Sequence, residues 1–143
     1  MGNKQKHLEF IQMAINRMAS NLFLLKGWTV TLIAALFALA AKDSKDVYFL
    51  IAYLPALMFW VLDGFFLSQE RCFRSLYDCV RKLGENDIDF SMDTRSVKGR
   101  WDDSRTLREK LHHSWVGAMF SWTLLVYYGG LLMTMWTVMY LLR

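Results

Sequence analysis

The chain has 143 residues, a formal net charge of +4 and an apolar content of 55%, against the ~45–50% usual for soluble domains. The excess is confined to three blocks, residues 22–41, 47–67 and 115–142, and each can supply the ~20 helical residues that cross a ~30 Å bilayer core. That excludes an ordinary soluble domain, and with no P-loop, Gly-rich fingerprint, nucleophile triad or metal-ligand cluster in the sequence, no catalytic residue, cofactor or metal is expected.

Residues 1–26 come first. Leu8, Ile11, Ile15, Met18 and Leu22 recur at three- and four-residue spacing, the mark of an amphipathic helix. Neither Pro nor Gly separates this stretch from the first block until Gly27, so one long helix is expected. Lys26 interrupts the block, and the span works if its stem runs along the helix while the ammonium reaches the headgroups. The late start of the apolar stretch argues against a cleaved leader. Ala34, Ala35, Ala38 and Ala41 give the span a small-residue face suited to close helix approach. Residues 42–46 form a short turn, so residues 22–67 read as an antiparallel transmembrane hairpin.

The second block carries Pro55, expected to kink its helix, and Asp63. Its helix is expected to continue to a C-terminal cap at Gly84. Phe73, Leu76, Tyr77, Val80 and Leu83 then share a packing face, opposite Arg71, Arg74, Arg81 and Lys82. Residues 84–103 lack periodicity and read as a loop. Asp102 or Asp103 is expected to cap a helix running past His112 and His113 into the last block. At 28 residues, 115–142 is longer than a bilayer requires and must tilt or protrude. Trp115 and Trp136 suit its interfacial zones. The expected fold class is an all-α membrane protein with three transmembrane helices and helical cytoplasmic extensions. Its parts are an amphipathic helix, cytoplasmic or interfacial (1–26), a transmembrane hairpin (22–67), a cytoplasmic helix, loop and helix start (68–114) and a third span (115–142).

Charge orients this arrangement. Three spans place Lys4, Lys6, Arg17, Lys26 and the ten basic residues of 68–114 on one side, fourteen in all, with only Lys42, Lys45 and Arg143 on the other. The positive-inside bias puts the N-terminus in the cytoplasm and the C-terminus outside, in the periplasm of a bacterial inner membrane. Cys72 and Cys79 then face a reducing compartment as free thiols.

Three groups are candidate sites. Asp63 and Lys26 are the formal charges inside the spans, and antiparallel packing would pair them, as a structural link or as a pore mouth or gate. The basic face of Arg71, Arg74, Arg81 and Lys82, with Arg95, Lys98 and Arg100, could receive a nucleotide, an oligonucleotide or lipid headgroups. Against this, residues 68–114 hold nine acids beside their ten bases. Arg108 with His113, and Arg105 with His112, resemble the Arg–His motifs of HEPN ribonucleases, although these histidines lie beside the bilayer.

The stretch KHLEFIQMAINRMASN followed by LLKGWTVTLIAALFALAAKDS, within a small three-span chain, resembles membrane effectors of bacterial anti-phage systems. Those are the SLATT-like effectors and the channel subunit of the Hailong system, which is paired with a nucleotidyltransferase. The resemblance implies a homo-oligomeric inner-membrane channel in contact with lipid, gated by a nucleotide or oligonucleotide signal, whose opening aborts infection. Thr29, Thr31, Ser121, Thr123, Thr134 and Thr137 are polar positions within the spans that a pore could use. The alternatives are a non-conducting membrane adaptor and a membrane-tethered HEPN-like ribonuclease.

Overall fold

The computed structural model describes residues 2–43, 46–95 and 114–142. The described residues are helical throughout except for short connections, with no β-strand among them. Helix α1 spans Asn3–Asp43 and α2 spans Asp46–Lys82. At 1.5 Å per residue they are about 60 and 55 Å long, roughly twice a bilayer core. Each therefore has an apolar half long enough to cross a membrane and a polar half that projects beyond it. The last apolar helix completes a set of three that are long and apolar enough to span. The protein is an all-α membrane protein.

Helix α1 runs unbroken because its interior contains no Pro and only Gly27 as a weak former, a cost of about 1 kcal/mol. Helix α2 continues through Pro55. The two are antiparallel: Lys4 reaches the carbonyl of Leu83, Lys26 meets Asp63, and Ile33 packs with Ala52 and Ala56. Two cores hold the pair. In the projecting half, Ile11 and Ile15 pack on Leu76 and Val80, with Leu8, Phe73, Tyr77, Cys79 and Ile88 around them, as the two periodicities predict. A fully buried Ile such as Ile11 contributes about 2–3 kcal/mol relative to exposure to water. In the apolar half, Ile33, Ala52, Ala56 and Met135 form the second core.

Four expectations change. The small residues buried in the apolar half of the hairpin are Ala52 and Ala56 of α2 and Ala40 of α1. Ala34, Ala35, Ala38 and Ala41 of α1 are exposed instead, because the bulkier Ile33, Leu36 and Phe37 take the inner face. Gly84 is no left-handed cap: it sits at φ −72°, ψ 164°, and leads into a 3-10 turn, Glu85–Asp87. The last block is not one helix but two, α3 (Trp115–Met119) and α4 (Trp122–Leu142). Finally, helix does not run through residue 114 into the span, because Ser114 is extended and caps α3, its side chain accepting from Gly117 N. The expected caps Asp102 and Asp103 lie outside the described residues.

The break between α3 and α4 has a local cause. Ser121 opens a new helix, its carbonyl accepting from Leu125 N at 2.9 Å, and Ser is favoured where a helix begins. The elbow shortens the last span to 21 residues, so no excess tilt or protrusion is needed. On the outside of the bundle Phe23, Leu50, Met133 and Leu141 are each more than 70% exposed, which suits a lipid solvent and not water.

Candidate functional site

The most polar feature of the apolar bundle is a junction of all three long helices. From Lys26 to the end of α1, and from the start of α2 to Asp63, is about 25 Å of helix. The two residues therefore meet near the polar end of the ~30 Å layer. Lys26 Nζ lies 2.8 Å from Asp63 Oδ2. From α4, the Tyr128 hydroxyl donates to the same oxygen at 3.0 Å, and the Tyr127 hydroxyl donates to the Lys26 carbonyl at 3.1 Å. The Lys26 ammonium also stands 5.6 Å from the Tyr127 ring centroid, within reach of a cation–π attraction.

Burial is uneven across this junction. Asp63 is fully buried, whereas 30% of the Lys26 side chain is exposed, enough for the ammonium to reach the headgroup zone. Asp63 Oδ1 is buried with no hydrogen-bond partner. One carboxylate oxygen thus carries two donors and the other none. Beneath the pair, Thr29 is fully buried and spends its hydroxyl on the Leu25 carbonyl at 2.7 Å.

Aromatic side chains and the α3 elbow hold the junction in place. Trp60 stacks on Tyr128 at 5.9 Å between centroids and donates its indole N–H to the Met119 carbonyl at 3.0 Å. Trp115 donates to the Val61 carbonyl at 3.3 Å. Gly64 admits the elbow, since a Cβ there would collide with Met119 Cγ and lie 3.1 Å from Met119 Cα. Removing side-chain bulk one residue after Asp63 therefore lets α3 close on α2.

The sequence-derived basic face is less available than its composition suggests. Arg74 is paired with Glu70 at 2.6 Å and Arg81 approaches Asp78 at 3.7 Å. Arg71 is partly buried, which lowers its pKa from the usual arginine value, while the Glu70 charge acts in the opposite direction. Lys82 is exposed at the end of α2, as is Arg95 beyond it. Lys98, Arg100, Arg105, Arg108, His112 and His113 lie outside the described residues. Among the described residues no cluster of His, Cys, Asp and Glu has the makings of a metal site. Cys72 and Cys79 are free thiols. No family model, curated protein or solved structure matches the chain.

The structure thus joins Lys26 to Asp63, as the antiparallel hairpin predicts, and adds Tyr127, Tyr128 and Trp60, which sequence reasoning missed. A tyrosine hydroxyl inside an apolar helix requires a polar partner, and that was the available signal. Of the hydroxyl-bearing span residues, Thr29 is internal. Thr31, Thr123, Thr134 and Thr137 are exposed, and Ser121 marks the elbow.

Proposed function

We propose that the protein is the subunit of an oligomeric channel in a bacterial inner membrane, and that the Lys26–Asp63–Tyr128 junction belongs to its gate. The observation that carries this reading is the fully buried Asp63 bridging three helices where the apolar bundle meets the projecting hairpin. A buried ion pair gives little net stability over well-packed apolar residues, and ionisable groups in membrane spans mark function by default. A link that can be made and broken at this level would couple movement of the hairpin to the spans.

A pore would have to form between copies. Gly27, Thr31, Ala34, Ala38 and Ala41 line one exposed face of α1, and Thr123, Gly130, Thr134 and Thr137 line one exposed face of α4. A Cβ at Gly27 or Gly130 would meet nothing within the protomer, so these small residues are not needed for its own packing. Small and hydroxyl-bearing faces support helix association in lipid, and two different faces on one chain suit a head-to-tail ring. The Thr31, Thr134 and Thr137 hydroxyls donate to their own helix backbones, leaving oxygen lone pairs outward.

The charge asymmetry supports an N-terminus in the cytoplasm and a C-terminus in the periplasm. The projecting hairpin is then cytoplasmic and exposed to a nucleotide or oligonucleotide signal. With Arg74 and Arg81 self-paired, such a ligand would depend on repetition of the exposed Lys82 around a ring, where modest fields add. Opening would dissipate the membrane potential, the role of an abortive-infection effector in phage defence. The test is purified protein in liposomes holding a potassium diffusion potential read by a voltage-sensitive dye. Collapse of the potential through spontaneous openings is the expected result. A stable oligomer in a sealed membrane, bound one-to-one to a soluble partner, would replace the channel with the adaptor reading.

A further inference from the structure

A second polar group is buried at the opposite end of the hairpin. His7, near the start of α1, is 1% exposed. Its Nε2 lies 3.1 Å from the Ser91 carbonyl oxygen. A carbonyl can only accept, so Nε2 carries the proton, and in the neutral ring Nδ1 is then bare. Nδ1 is itself buried without a partner. Phe90 covers the ring at 5.4 Å between centroids and reaches Phe10 at 6.4 Å. Phe90 holds φ at 55°, the one non-glycine residue with positive φ among those described. That is a costly conformation for an aromatic residue, kept only where packing imposes it. Residues 88–93 thus form a strap across the first turns of α1, with Ile88 anchored in the projecting core.

We infer that this strap is a proton-operated clasp: it closes on neutral His7, and protonation of Nδ1 opens it. A protonated ring would place a cationic donor in a buried site that offers it no acceptor, which is strongly unfavourable. None of the surrounding carboxylates accepts from Nδ1. On α1, Lys4 is committed to the Leu83 carbonyl through its ammonium and Lys6 is a further cation. In the 3-10 turn, Glu85 accepts from the Lys4 backbone N–H at 3.4 Å. In the strap, Asp89 accepts from Ser91 N at 2.9 Å, and Asp93 accepts from Arg95 N at 2.8 Å. From α2, the end of the helix contributes Arg81, which approaches Asp78 at 3.7 Å, and the exposed Lys82. Closure is therefore favoured where the imidazole is neutral and lost as acid adds a proton. Opening would relax Phe90 and release residues 88–93 from α1. The clasp is confined to the surroundings of His7 and would operate whether or not the assembled protein conducts.

The test is amide hydrogen exchange of residues 88–93 in the full chain in nanodiscs, corrected for the intrinsic effect of pH. Protection in the wild type should fall about tenfold or more on acidification. His7→Gln retains a donor for the Ser91 carbonyl but cannot titrate there, and should show a flat profile. The double variant His112→Gln/His113→Gln should behave as the wild type. An unchanged pH response in His7→Gln would overturn the clasp, as would a flat wild-type profile. Should His7→Gln fail to fold, ring nitrogen shifts of His7 in the wild type decide. A neutral Nε2–H tautomer while the strap is protected, charging as protection is lost, upholds it; a charged ring under full protection refutes it.

Discussion

Replacing Lys26 should damage the protein more than replacing Asp63, although the two form one pair. The reason is their unequal burial. Lys26→Met leaves the Asp63 carboxyl fully buried and supported only by the Tyr128 hydroxyl, with Oδ1 already unpartnered. Removing one member of a buried pair costs about 3–5 kcal/mol, and the 30% exposure of the Lys26 side chain places this case at the lower end, about 3 kcal/mol. Asp63→Asn keeps an acceptor for Tyr128 and frees an ammonium that can reach the headgroups, so its cost should be about 1 kcal/mol. The difference corresponds to about thirtyfold in the unfolding equilibrium constant. Lys26→Met/Asp63→Leu removes both charges and should recover most of the loss. Unfolding in mixed micelles by SDS titration, followed through tryptophan fluorescence, measures all three. If Asp63→Asn costs as much as Lys26→Met, the carboxylate is not the stranded partner and the reasoning fails.

Three further outcomes are expected. Gly64→Val should drive Met119 and the α3 elbow off α2, destabilising by about 1–3 kcal/mol and changing the emission of Trp60 and Trp115, whose indole bonds cross that contact. Leu76→Ala opens a cavity in the projecting core and should cost about 2–4 kcal/mol. Hydrogen exchange should then rise in residues 8–15 while the apolar half stays protected. Gly27→Ile and Gly130→Ile point into open space in the protomer, so its stability should shift by no more than about 0.5 kcal/mol. If those faces join copies, native mass spectrometry will show smaller assemblies; an unaltered assembly size would place the interface elsewhere.

Much of the architecture is legible in the sequence because hydropathy and helical period act locally. The three apolar blocks, the single helix from residue 3 to 43 and the Leu76–Val80 face against Ile11 and Ile15 all follow from spacing. The Lys26–Asp63 link also follows, since an antiparallel hairpin with a short turn brings those two positions to the same level. Tyr128 is different. Its meeting with Asp63 depends on the rotation of α4, which the α3 elbow sets, and hydropathy does not fall at Phe120 and Ser121 to announce that elbow. The role of Gly64 is equally hidden, because it depends on Met119, distant in sequence. His7 shares a face with Ile11, Ala14 and Met18 at helical spacing, yet a polar side chain does not count toward an apolar stripe. Only the strap across it turns that position into an interior one.

Single-channel recording in planar bilayers tests the gate most directly. Wild-type protein should show discrete openings, and Asp63→Asn, which loosens the link between the helices without stranding a charge, should change the open fraction with unit conductance preserved. Wild-type and Asp63→Asn traces with the same open fraction would contradict a gate at Lys26–Asp63, and a silent wild-type oligomer would contradict the channel itself.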